Sequence, residues 1–91
     1  MNITNISIRR VSTKEKLRAV VSVTFDDSFV VHDIKIISGE DGAFLAMPAR
    51  KMPDGTYRDI AHPISERSRA ILEKAIFGKC REALEHIGGI I

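Results

Sequence analysis

The chain has 91 residues, 44% of them apolar and 29% charged, and a formal net charge of +2. This length supports one domain that buries roughly two-thirds of its unfolded surface, and the composition excludes wholesale disorder. Arg9 and Arg10 interrupt the N-terminal region, and no segment approaches the ~20 apolar residues of a membrane span, so a cytoplasmic protein without a membrane partner is expected.

Residues 2–11 are rich in β-branched side chains and predict a first strand, followed by a polar loop from Ser12 to Lys16. Leu17, Ala19, Val21, Val23 and Phe25 then alternate with Arg18, Val20, Ser22 and Thr24, the period-two signature of a half-buried strand over 17–25. Asp26-Asp27-Ser28 makes a tight turn into a third strand over 29–37. The Gly39 to Gly42 turn leads to a short fourth strand over 43–47, ended by Pro48. Connections this short join antiparallel neighbours, because parallel strands need a crossover of about a dozen residues.

Residues 49–59 hold the strongest local signal. In Pro53-Asp54-Gly55, proline presets φ at one corner and glycine tolerates the positive φ that closes the turn, so the flanks pair as a hairpin. Arg50, Lys51, Tyr57 and Arg58 ride on that projection.

Ser65 to about Ile87 predicts one long helix, with Ser65 as N-cap, Glu66 near the positive end of the dipole and Gly88-Gly89 as the stop. Leu72, Ile76, Cys80, Ala83, Leu84 and Ile87 share the face expected to pack on the sheet. Arg67, Lys74 and Arg81 recur every seven residues on the opposite face, along about 21 Å of helix. Ile71 and Phe77 fall on the flanks of that outer face and suggest a dimer interface with a second copy of the chain. Gly78 in the helix interior costs about 1 kcal/mol relative to alanine, for which a kink or a close helix contact are the alternatives. The lone Cys80 reads as a buried helix residue; it excludes an internal disulfide and fits a reducing compartment, and no zinc-ligand spacing exists. The expected fold is a single α+β domain over 1–91: an antiparallel sheet of about four strands, a basic hairpin, and one C-terminal helix packed on the sheet, assembled as a homodimer.

Charge is unevenly spread. Residues 1–19 hold five Lys or Arg against one acid, residues 20–48 one base against five acids, and residues 49–81 eight bases against four acids. A basic hairpin and helix beside an acidic central segment suit a protein with one phosphate-binding side. The candidate nucleic-acid contacts are Arg50, Lys51, Arg58, Arg67, Arg69, Lys74 and Arg81; Lys79 and Arg69 lie near the apolar face and can instead snorkel over the core. Aromatic content is 5% with no tryptophan, which limits base stacking to Tyr57 and favours backbone and groove contacts.

Several runs carry a wider likeness: Arg18-Ala19, Phe29-Val30-Val31-His32-Asp33-Ile34, Phe44-Leu45-Ala46-Met47-Pro48, Pro53-Asp54-Gly55, Tyr57-Arg58-Asp59-Ile60 and His62-Pro63-Ile64. Together they resemble the SpoVG family of bacterial septation and sporulation regulators, from Ile3 to about Leu84. The resemblance implies a small homodimeric α+β protein that binds DNA and RNA and acts as a regulator. It brings no catalytic residues, no cofactor and no small-molecule substrate.

Two pairs could suggest catalysis, His32 with Asp33 and Asp59 with His62, but neither brings two groups onto one substrate or three ligands onto a metal. His32 shares strand parity with Val30, Ile34 and Ile36, which predicts a hydrogen-bonded core histidine. No enzyme is expected. The alternative to nucleic-acid binding is an interaction adaptor, with Ile71, Phe77 and the acidic segment from Asp26 to Asp41 docking a cell-division partner.

Overall fold

Strand β2 (Leu17–Phe25) is the centre of the molecule, and its alternation has the consequence the sequence predicts: Ala19, Val21 and Val23 are buried on one face. In the computed structural model, which describes residues 2–12 and 14–86 and side chains as far as residue 82, β2 pairs antiparallel with β1 (Ile3–Val11) and with β3 (Phe29–Gly39). β3 pairs in turn with β4 (Gly42–Ala46), giving a meander in the order β1-β2-β3-β4. A separate two-stranded ribbon of β5 (Ala49–Lys51) and β6 (Tyr57–Asp59) precedes helix α1 (Glu66–His86). The fold is α+β, as expected.

Strands β1 and β3 do not alternate in sequence, and β-bulges explain why. Residues Thr4 and Arg9 are extra in the β1–β2 register, which brings Ile3, Ile6, Ile8 and Val11 opposite Phe25, Val23, Val21 and Ala19. In β3 the register slips at His32-Asp33, where Asp33 takes a positive φ of 63°, so Val31 and Ile34 both face the core. A bulge inserts one residue and re-aims the side chains beyond it. The core-histidine expectation is corrected on this point: His32 leaves the core parity and lies exposed on the sheet's other face. Its ring remains hydrogen-bonded, with Nδ1 2.8 Å from Oγ of Ser22, a buried hydroxyl satisfied by that contact.

At the β2–β3 turn, Asp26 and Asp27 both adopt positive φ, 51° and 52°, the geometry of the hairpin turn that matches strand twist. The turn also anchors the start of β1: Asn2 N donates to Asp26 Oδ1 at 2.9 Å and Asp27 N to Thr4 Oγ1 at 2.9 Å.

Helix α1 covers the apolar face of the sheet, nearest β1. Leu72, Ile76 and Cys80 join Ala19, Val21, Val23, Ile34, Ile36, Leu45 and Met47 in one cluster. Each fully buried Ile or Leu side chain contributes about 1.5–3 kcal/mol relative to exposure. The helix starts where predicted. Ser65 Oγ accepts from Ser68 N at 3.1 Å, and Ser68 Oγ accepts in return from Ser65 N at 3.4 Å. Ser68 at the third helical position thus takes the reciprocal role that Glu or Gln holds in a capping box. Ala83, Leu84 and Ile87 of the predicted apolar face, and the Gly88-Gly89 stop, lie outside the residues whose side chains are described. Gly78 is exposed, and a Cβ placed on it would meet nothing within 4 Å, so no contact inside the chain accounts for it. No helix among the described residues is long and apolar enough to cross a membrane.

Candidate nucleic-acid interface

The β5–β6 hairpin is built by its turn. Gly55 N donates to Met52 O at 2.9 Å and Met52 N to Thr56 O at 2.7 Å, while Gly55 takes φ 92°. This is a three-residue loop closed by a left-handed glycine, as Pro53-Asp54-Gly55 predicts. Asp54 tightens it: Oδ1 accepts from the Thr56 hydroxyl at 2.6 Å and from Thr56 N at 3.0 Å. Those two bonds, the hydroxyl first, hold the Asp54 carboxyl below its ordinary value. Ile60 N donates to Pro48 O and ties the base of the hairpin.

The register then decides where the cations go. Arg50 stands directly opposite Arg58, and Lys51 opposite Tyr57. All four are exposed. Two arginines in direct cross-strand opposition repel one another, at a cost of roughly 0.2–1 kcal/mol. Among the described residues no carboxylate pairs with either of them, since the ion pairs there join Arg10 to Glu15 at 3.1 Å and Arg69 to Glu73 at 3.9 Å. A phosphate placed between two guanidiniums would convert that repulsion into charge-assisted hydrogen bonding.

On α1, Arg67, Lys74 and Arg81 are exposed and stand outside those two ion pairs. Arg69 differs: it is half-buried and held by Glu73 one turn on, as its place near the apolar face foreshadows. Lys79 is exposed. The seven predicted cations thus divide into an opposed pair with Lys51 beside it on the hairpin, a three-residue helix stripe, and Arg69, which is already engaged. The hairpin strands pack chiefly on each other.

Sequence reasoning missed a second surface. An open apolar groove of about 350 Å³ is lined by Ile3, Phe25, Phe29, Val31, Met47 and Leu72 together with Ile64 and Ile71. Around it Ile64 is 91% exposed, Phe29 62% and Ile71 55%. One signal was available. Ile64 precedes the cap, where an apolar residue normally staples to the fourth helical position, but that position is Arg69, so Ile64 has no partner to hold it. Of the two predicted dimer residues, Ile71 lies on this groove, whereas Phe77 is half-buried against the core cluster because its ring reaches inward from the helix flank.

His62 is exposed, its Nδ1 3.0 Å from the Pro63 carbonyl, and it shapes the approach to the helix. Among the described residues no group of three or more potential metal ligands occurs.

The SpoVG family profile matches residues 1–82. Named relatives match most of the chain. A protein of Alkaliphilus oremlandii is 58% identical over 79 residues, covering 87% of this chain and 85% of the relative. One from Lachnospira eligens is 58% identical over 76 residues, covering 84% and 86%. One from Heliobacterium modesticaldum is 50% identical over 84 residues, covering 92% and 94%. Each of the three bears the name "Putative septation protein SpoVG". With a hairpin, meander and helix that agree with the likeness first seen in its motifs, and a match of this extent, the chain belongs to the SpoVG family.

Proposed function

We propose that this chain is a cytoplasmic nucleic-acid-binding regulator of septation or sporulation that acts as a homodimer and carries out no catalysis. The relatives' name supports the septation role. The observation that carries the binding reading is the opposed Arg50/Arg58 pair, two exposed like charges with no carboxylate partner among the described residues. Nucleic-acid affinity rests mainly on such groups neutralising phosphates and releasing counterions. Lys51 and the Arg67, Lys74, Arg81 stripe extend the contact, and a dimer doubles it, so a net charge of +2 is no obstacle. DNA and RNA share the backbone chemistry that these groups address.

Self-association is the best use of the apolar groove. Phe29, Ile64 and Ile71 around one concavity make the kind of exposed apolar patch that marks an interaction site. A salt-titrated gel shift against a DNA duplex and an RNA strand tests the binding reading, and sedimentation of the protein alone tests the dimer. The groove also favours a second reading, an adaptor that docks a cell-division protein without contacting nucleic acid. Salt separates the two, since apolar docking responds weakly where phosphate binding falls steeply.

A further inference from the structure

Gly78 occupies a position that the fold does not explain. It lies in the interior of a 21-residue helix, fully on the outer face, with no neighbouring atom within 4 Å of where a Cβ would stand. Glycine is disfavoured there, and two usual internal reasons for keeping one, a positive φ or a packed neighbour, do not apply, because its φ is not left-handed and its surroundings are open. Its neighbours on the surface are specific. At 3.6 residues per turn Arg67, Ile71, Lys74, Gly78 and Arg81 fall within about 80° of the helix circumference. Lys74 lies one turn before Gly78 and Arg81 one turn after, both exposed.

We infer that Gly78 is the point at which the outer face of α1 meets the phosphodiester backbone at close range, with Lys74 and Arg81 gripping phosphates on either side. This rests on the nucleic-acid reading above and adds a mode to it: the helix lies with its bare backbone against the ligand, so its contact is steric as well as electrostatic. A glycine lets another backbone approach the helix more closely than any side chain allows. A second copy of the chain is the poorer occupant of this stripe. A two-fold axis would set Lys74 and Arg81 of one chain against the same cations of the other, whereas the groove at the N-terminal end of α1 offers an apolar surface without that repulsion.

The test uses the full chain, Gly78→Ala and Gly78→Lys, with a mixed-sequence DNA duplex and a single-stranded RNA as probes, plus melting and sedimentation of each variant. Gly78→Ala should melt higher than the parent, because it improves helix propensity in open space. It should also bind both probes roughly five- to tenfold more weakly, the scale of forcing one methyl into a packed contact. Gly78→Lys should bind more weakly still despite its added positive charge. Unchanged binding by Gly78→Ala with tighter binding by Gly78→Lys would overturn the inference and leave the nucleic-acid reading standing, since it would make the face a plain electrostatic surface. Loss of affinity accompanied by a shift in sedimentation would also overturn it, by reassigning the stripe to self-contact. A parent protein that binds neither probe at low salt would remove the nucleic-acid reading itself, and the inference with it.

Discussion

The four-stranded sheet with α1 on its inner face and the small β5–β6 hairpin are built on opposite principles. In the first, Ala19, Val21, Val23, Ile34, Ile36 and Ile76 are buried and hold the fold. In the second, all six strand residues are exposed, and Arg50 and Arg58 oppose each other across the ribbon. On the proposed function, stability and binding are carried by separable residues. A protein that needed the hairpin only as structure would gain by replacing one of its two arginines.

Substitutions should therefore sort cleanly. The largest effect on stability is expected from Ile34→Ala, which opens a cavity at the centre of the sheet and should cost about 2–5 kcal/mol in denaturant unfolding. The largest effect on binding is expected from Arg50→Ala with Arg58→Ala, which should weaken nucleic-acid affinity about tenfold or more. It should also lower the slope of log K against log salt by roughly one for each phosphate no longer neutralised. The same double variant should unfold at the parent's denaturant concentration or slightly above it, since it removes a repulsive pair. If it unfolds well below the parent, stability and binding are not separable in the hairpin.

Ser65→Ala should cost about 1 kcal/mol by removing the acceptor for Ser68 N. Circular dichroism and unfolding check this against Ser68→Ala, which breaks only the reciprocal half. Cys80 should resist alkylation in the native state, because burial raises its thiol above the ordinary value and keeps the reactive thiolate scarce. Rapid labelling of folded protein by iodoacetamide would place the helix less firmly on the sheet.

The smallest effect concerns Asp54. Its carboxyl is held below the ordinary value in the folded hairpin, so its stabilising contribution is present above the unfolded value and disappears as pH falls through the folded one. As pH falls through that lowered folded value, beneath the ordinary carboxylate range, the Thr56 amide should lose protection from exchange while the sheet amides keep theirs. Asp54→Asn should abolish that pH response without unfolding the sheet.

Legibility in the sequence divides along the same line. Strand β2 can be read face by face from Ala19 to Val23, while a register slip between Leu17 and Ala19 sets Leu17 opposite Ile37 and off the core face the alternation predicts for it; α1 and the hairpin turn are marked by Ser65 and by Pro53-Asp54-Gly55. Strands β1 and β3 can be placed from sequence but not oriented. Their core residues run 3-6-8 and 31-34-36, with Val11 opposite Ala19, and only the bulges at Thr4, Arg9 and His32-Asp33 bring those spacings onto one face. A bulge is set by the register of the partner strand, which no local window contains, so local parity alone puts His32 in the core. The exposed cations are legible as types, while the Arg50–Arg58 opposition needs the register, and the fate of Arg69 needs Glu73 in place. The groove is invisible in sequence because it is assembled from four distant stretches, around Ile3, around Phe25 to Val31, at Met47, and from Ala61 to Leu72.

Whether hairpin and helix cations hold a phosphate backbone is decided by the equilibrium constant for a DNA duplex and an RNA strand across a salt series, measured for the parent and for the Arg50→Ala, Arg58→Ala variant. Affinity of the parent should fall steeply and linearly with log salt, and the variant should give a shallower line. Binding that is flat in salt, or identical lines for the two proteins, would contradict phosphate recognition by these cations.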